Sequence, residues 1–174
     1  MTNLKAVIAA VAVLIAGSAL AESQSVSKDN ATQPAFSLTL SAASAQVRTG
    51  ESLRLIVSLK NIASKEIVIA KENATSDEAD YRIYAVDEQG KNASSTPYYR
   101  VLKGERQTEV PKFVIRRSTQ MLTVQPGESL ESGIDLGRIY KTDTPGVYKI
   151  WVERLDKISN VLVKSNAITV TVTS

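Results

Sequence analysis

Neither cysteine nor histidine occurs anywhere in the 174 residues. Without cysteine there is no disulfide, no thiolate nucleophile and no lipid-modified N-terminal cysteine, so a folded domain must hold together through its core alone. Without histidine there is no imidazole zinc ligand, no Ser-His-Asp triad and no side chain whose ordinary titration falls near neutral pH. A large excess of one charge is also missing. The 21 Lys and Arg against 18 Asp and Glu leave +3, short of the concentrated basic excess that marks a nucleic-acid binder. The enzyme designs that remain are a carboxylate pair and a Ser-Lys dyad. The one Ser-x-x-Lys, Ser25 to Lys28, lies in a polar stretch where nothing would hold a nucleophile in place.

Long apolar runs are scarce too. The longest covers residues 6–16, follows Lys5 and ends in Ala19-Leu20-Ala21. That is shorter than the about 20 residues a membrane-crossing helix needs, and the small residues two apart suit signal peptidase. The expected reading is a signal peptide over 1–21, cut before Glu22, which leaves no stable membrane span and places the protein outside the cytoplasm, periplasmic or extracellular. Residues 22–35 (ESQSVSKDNATQPA) are polar and closed by Pro34, as in a disordered linker.

From Phe36 to the end, short β-prone runs alternate with turn signals, and no segment carries a core helix's apolar stripe. Leu53, Leu55, Val57 and Leu59 alternate with Ser52, Arg54, Ile56 and Ser58 and define one buried strand face. Phe36, Leu38 and Leu40 repeat the pattern, as do Tyr81, Ile83 and Ala85, and Tyr148, Ile150 and Val152. Further strands are expected at 67–69, 97–102, 112–115 and 119–124. Residues 161–164 and 167–173 are expected to form a terminal hairpin bending at Lys164-Ser165-Asn166. Val47-Arg48-Thr49-Gly50-Glu51-Ser52-Leu53 parallels Val124-Gln125-Pro126-Gly127-Glu128-Ser129-Leu130, which reads as two strand-entering turns sharing one chemistry rather than a duplicated repeat. The fold class expected for 36–174 is all-β, an antiparallel sandwich of about eight or nine strands.

Gly146-Val147-Tyr148-Lys149-Ile150 resembles the tyrosine corner of immunoglobulin-type sandwiches, in which a Tyr two residues before the central core position returns its hydroxyl to upstream backbone. With Pro126-Gly127-Glu128-Ser129, Ile134-Asp135-Leu136, Tyr140 and Pro145-Gly146-x-Tyr148, the wider pattern resembles secreted bacterial immunoglobulin-like domains. It is also similar to the non-catalytic sandwich domain that precedes the protease domain of deuterolysin-type metalloproteases, and more loosely to proteinase-inhibitor sandwiches of the BsuPI type. The resemblance implies an immunoglobulin-like β-sandwich with Tyr148 as a structural corner. It implies no protease activity, because deuterolysin-type catalysis needs a His-Glu-x-x-His zinc motif.

Charge is unevenly placed. Residues 66–88 carry seven acids against Lys71 and Arg82, and residues 98–117 carry six bases against Glu105 and Glu109. Asp77-Glu78-Ala79-Asp80 is an acidic loop without the glycine and spacing of a calcium loop, so no metal and no cofactor is expected. Tyr98, Tyr99, Arg100, Lys103 and Arg106 form the leading candidate partner-binding patch, since Tyr and Arg combine contact area with directional donors, and Trp151 is a second candidate anchor. The expected function is an exported, non-catalytic domain binding a protein or cell-envelope component. The alternatives are an inhibitor or accessory domain acting on an extracytoplasmic protease and, third, a carboxylate-dependent hydrolase.

Overall fold

A computed structural model describes residues 33–72, 77–105 and 118–174. The expected signal peptide, most of the polar linker, Arg106 and the strand expected at 112–115 lie outside these residues.

Ten strands are present among the described residues: β1 (Phe36–Ala42), β2 (Gln46–Arg48), β3 (Arg54–Asn61), β4 (Ile67–Lys71), β5 (Arg82–Val86), β6 (Gln120–Val124), β7 (Ser129–Asp135), β8 (Gly146–Asp156), β9 (Val161–Lys164) and β10 (Ile168–Thr173). One sheet has the order β1-β3-β7 and the other β2-β10-β8-β5, with β9 also on β8 and with β4 and β6 forming a separate two-stranded ribbon. The alternating apolar positions of β1, β3, β5 and β8 all point inward, and Leu55, Val57, Leu59, Ile134, Ile150 and Val152 are fully buried in one shared core. Burying each such side chain contributes about 1.5–3 kcal/mol. The protein is an all-β, immunoglobulin-like sandwich. Its pairings are antiparallel except that of β2 with β10, which is parallel. Ala35, just ahead of β1, is buried, and its carbonyl accepts from the amides of Ile62 and Ala63.

The two echoing sequences make the same turn. Glu51 N–H donates to Arg48 C=O and Glu128 N–H to Gln125 C=O, each at 3.0 Å. In each, the Glu carboxylate reaches back to the amide of the first turn residue, Arg48 at 3.2 Å and Gln125 at 2.9 Å. Gly50 and Gly127 both sit at φ 80°, which a type II turn requires at its third residue. The chains leaving these turns become β3 and β7, which lie antiparallel with Val57 opposite Ser132.

Two local expectations change. Residues 97–102 form a helix, α1 (Pro97–Leu102), because the Thr96 side chain accepts from the Tyr99 amide and Pro97 occupies the first turn, where its missing N–H costs nothing. Residues 161–173 do not form a hairpin. β9 and β10 lie one after the other on the same edge of β8, with Lys164 opposite Glu153 and Ile168 opposite Ile150, so Ser165, Asn166 and Ala167 face only Trp151 and Val152. That extra residue is a β-bulge, which bends the strand without reversing it. The true hairpin joins β8 to β9 through Asn160 at φ 58°.

Side chains bond one outward-facing residue on each of several sheet edges. On β1, Asn166 accepts from Leu40 N–H at 2.8 Å and donates to its C=O at 2.9 Å. On β2, Ser44 Oγ bonds both backbone groups of Gln46. On β5, Tyr99 Oη accepts from Ile83 N–H at 3.1 Å and Tyr140 Oη donates to Ile83 C=O at 2.6 Å. On β7, Asp77 accepts from Gly133 N–H at 2.8 Å. On the outer side of β4, Arg154 Nη2 donates to Ala70 C=O at 2.6 Å.

Tyr148 precedes the fully buried Ile150 by two positions, and its hydroxyl donates to Thr144 C=O at 3.1 Å, four residues upstream. Tyr148→Phe keeps the ring and loses one partly solvated bond. It is expected to cost about 0.5–1 kcal/mol with the fold intact, read as a small midpoint shift in denaturant unfolding. An unchanged midpoint would show that the corner contributes nothing.

Candidate interaction surface

Thr96 and Pro97 start α1 so that its consecutive side chains diverge, and the expected patch is split accordingly. Tyr99 is buried, with its ring edge-on to Tyr140 at 5.6 Å and its hydroxyl engaged with Ile83, so it serves the fold and is withdrawn from any partner. Tyr98 is half-buried beneath Arg138, whose guanidinium lies 4.6 Å from the ring centre. Arg100 is exposed. Lys103 is exposed, lies 5.0 Å from the Tyr99 ring centre and pairs with Glu105 at 2.9 Å, an exposed pair that contributes little to stability.

Trp151 has the more organised surroundings. The β5–β8 register sets Tyr84 directly opposite it, and the two rings stack at 5.0 Å with an interplanar angle of 9°. Lys164, brought alongside by β9, lies 4.4 Å from the indole centre, and the indole N–H donates to Glu153 Oε1 at 3.2 Å. These side chains stand on the face of the sheet turned away from the core, where a cation over an aromatic ring is worth about 0.5–1 kcal/mol. Partial burial and the Glu153 carboxylate hold the Tyr84 phenol above its usual range, so both rings are neutral at physiological pH. Sequence reasoning found Trp151 and missed Tyr84 and Lys164, which join it only through strand register.

A cavity of about 1030 Å³ adjoins this face, reached by Tyr84, Glu153, Lys103, Val68, Met121 and Ile158 among others. The acidic segment Asp77–Asp80 is a 3-10 turn whose carboxylates are already engaged: Asp77 with Lys71 at 2.6 Å, buried Glu78 with Arg138 at 3.2 Å, and Asp80 with the Glu72 amide at 2.7 Å. Arg154 faces the other Asp80 oxygen at 3.8 Å. Burial holds the Asp80 carboxyl above the usual range, although the Glu72 amide and Arg154 pull the other way. A raised carboxyl in a cleft is a feature of general acids; Asp80 lines the cavity, but its side chain is 1% exposed and is held between the Glu72 amide and Arg154. No cluster of metal-ligating side chains exists among the described residues. Among the described residues, the cations that meet the acids of this 77–80 segment are Lys71 of β4, Arg138 just before Tyr140 and Arg154 of β8.

The chain matches no protein-family model and no curated protein. Among solved structures it is similar to the CARDB domain of a Pyrococcus furiosus protein, at 11% identity and TM-score 0.44 over 80% of this chain and 89% of that one. It is also similar to part of a β-glucosidase from Listeria innocua, at 17% identity and TM-score 0.41, over 81% of this chain but 16% of the glucosidase. A Pseudomonas fluorescens alkylpurine DNA glycosylase matches at 12% identity and TM-score 0.41, over 81% of this chain and 31% of that one. The narrower resemblances to deuterolysin-associated and BsuPI-type sandwiches gain nothing from these matches. No helix among the described residues is long and apolar enough to cross a membrane.

Proposed function

We propose that this is an exported, non-catalytic immunoglobulin-like domain that binds a protein or cell-envelope component through the outer face of β5, β8 and β9. The carrying observation is the Tyr84–Trp151 stack with Lys164 and Glu153 around it. It holds two large, half-buried rings in a fixed arrangement on the sheet face turned away from the core, and rigid aromatic anchors ringed by charge are what interface hot spots are made of. The composition supports the non-catalytic part, since neither imidazole nor thiolate exists and the cavity carboxylates are tied to structural partners.

The test is recovery of crosslinked partners from the protein's own envelope fraction by the wild type and by a Tyr84→Ala, Trp151→Ala double variant. The expected result is a partner whose apparent affinity falls about tenfold or more in the variant. Rising salt should weaken the same complex, because the flanking Lys164 and Glu153 are open to solvent ions. Equal capture by both proteins would remove this face as the binding surface. Turnover of any substrate by the purified domain would overturn the non-enzymatic reading.

A further inference from the structure

On the outer sheet face the Tyr84–Trp151 stack lies among exposed cations. β5 and β9 flank opposite edges of β8, so Arg82 and Lys164 stand on either side of Glu153, while Lys149 lies on β8 two residues before Trp151. All three cations are exposed, and none is in an ion pair among the described residues. Of the two acids on β5, β8 and β9, Asp156 is buried and Glu153 accepts from the indole N–H. Apolar surface continues on the same face, where Leu155 and Leu162 lie opposite each other and are 45% and 43% exposed.

We propose, on the reading that this face is the binding surface, that its partner is a protein carrying an acidic segment, which sets carboxylates against Arg82, Lys149 and Lys164 and apolar side chains against the ring edges and the Leu155–Leu162 pair. Two features select a protein over other anions. Tyr84 stacks on one face of the indole and Lys164 covers the other, so a sugar ring or nucleobase finds no open face of Trp151 to stack on. Charge also alternates across the strands, positive at Arg82, negative at Glu153 and positive at Lys164. A bilayer surface or a polyuronate presents one sign throughout and would press against Glu153. A protein segment can instead place acids over the flanking cations and a hydrogen-bond donor or an apolar group at the centre. With strands about 4.8 Å apart and outward residues about 6.7 Å apart along a strand, two acids would stand about 10 Å apart over Arg82 and Lys164, and a third about 13 Å along β8 over Lys149.

The test is a zero-length carbodiimide crosslink, which joins a lysine amine to a carboxylate in direct contact, applied to the protein in its own envelope fraction. The expected product is an amide between Lys149 or Lys164 and an Asp or Glu of one protein, located by mass spectrometry. With that partner purified, Lys149→Arg plus Lys164→Arg is expected to abolish the crosslink and retain the affinity, because the charge is kept. Lys149→Glu plus Lys164→Gln, which sets no second acid opposite Glu153, is expected to weaken binding about tenfold or more. Binding that is lost in Tyr84→Ala, Trp151→Ala but ignores the charge variants would overturn the acidic partner and leave the aromatic face standing. Binding indifferent to both sets would end both readings. Absence of any lysine–carboxylate crosslink would overturn the proposal. So would binding of phosphatidylglycerol vesicles or polygalacturonate that is lost in Lys149→Glu, Lys164→Gln, which would assign the cations to a lipid or glycan polyanion.

Discussion

Asn61→Ala is expected to lower the free energy of unfolding by about 3 kcal/mol, more than a surface asparagine could account for. Asn61 is fully buried where pairing passes from β3–β7 to β4–β6. Its Nδ2 donates to the carbonyls of Lys65 and Val124, each at 2.9 Å, and its Oδ1 accepts from Ala63 N–H at 2.9 Å. One amide side chain therefore stands in for the missing ladder bonds at the junction. Truncation takes this donor from the Lys65 and Val124 carbonyls and leaves Ala63 N–H only its 3.2 Å bond to Ala35 C=O, and each buried unsatisfied group costs about 1 kcal/mol or more. Asn61→Asp is expected to be at least as damaging at neutral pH, because a carboxylate oxygen would then face two carbonyl oxygens. Guanidinium unfolding checks both, and a loss under about 1 kcal/mol for alanine would mean that the junction relaxes or is wetted.

Asp156→Asn is expected to cost about 2 kcal/mol at pH 7 and almost nothing in acid. Asp156 is 1% exposed at the end of β8 and accepts from Ala35 N–H at 2.7 Å, Ile158 N–H at 2.9 Å and Ser159 Oγ at 2.6 Å. Burial alone would raise this carboxyl. The hydrogen bonds from Ala35, Ser159 and Ile158 together outweigh burial and hold it below the ordinary 3.8. Because the folded-state value is the lower one, the stabilisation is fully present above the unfolded value and disappears as pH falls through the folded one. The gap between wild type and Asp156→Asn should therefore be constant from neutral pH down to about 5 and close below about 4. A gap independent of pH would show that asparagine fails for reasons of shape rather than charge.

The core was legible from sequence wherever a strand buries one face. The two-residue period of Leu53 to Leu59, of Phe36 to Leu40 and of Tyr81 to Ala85 is imposed by the pleat itself, and the shared turn was readable because a backward-reaching Glu and a left-handed Gly are local chemistry. Residues 97–102 misled because Tyr-Tyr-Arg-Val is β-prone, whereas the deciding signal, Thr96 before Pro97, is a cap lying outside the run. The bulge at Ser165 to Ala167 carries no local mark. It arises because Asn166 is held by Leu40 on the opposite sheet. The candidate surface was half legible for the same reason. Trp151 is visible as a lone large ring, but its pairing with Tyr84, 67 positions earlier, follows from register, as do the salt bridges that occupy the acidic segment.

That lone ring has a practical corollary. As the single tryptophan of the chain, Trp151 is the sole source of indole fluorescence, and it sits against a tyrosine that can pass excitation to it and under an ammonium group that polarises it. Its emission is thus a built-in optical gauge of one face of one sheet. Ligands arriving there would shift its colour without any attached dye, so occupation of that face can be followed directly in the cuvette.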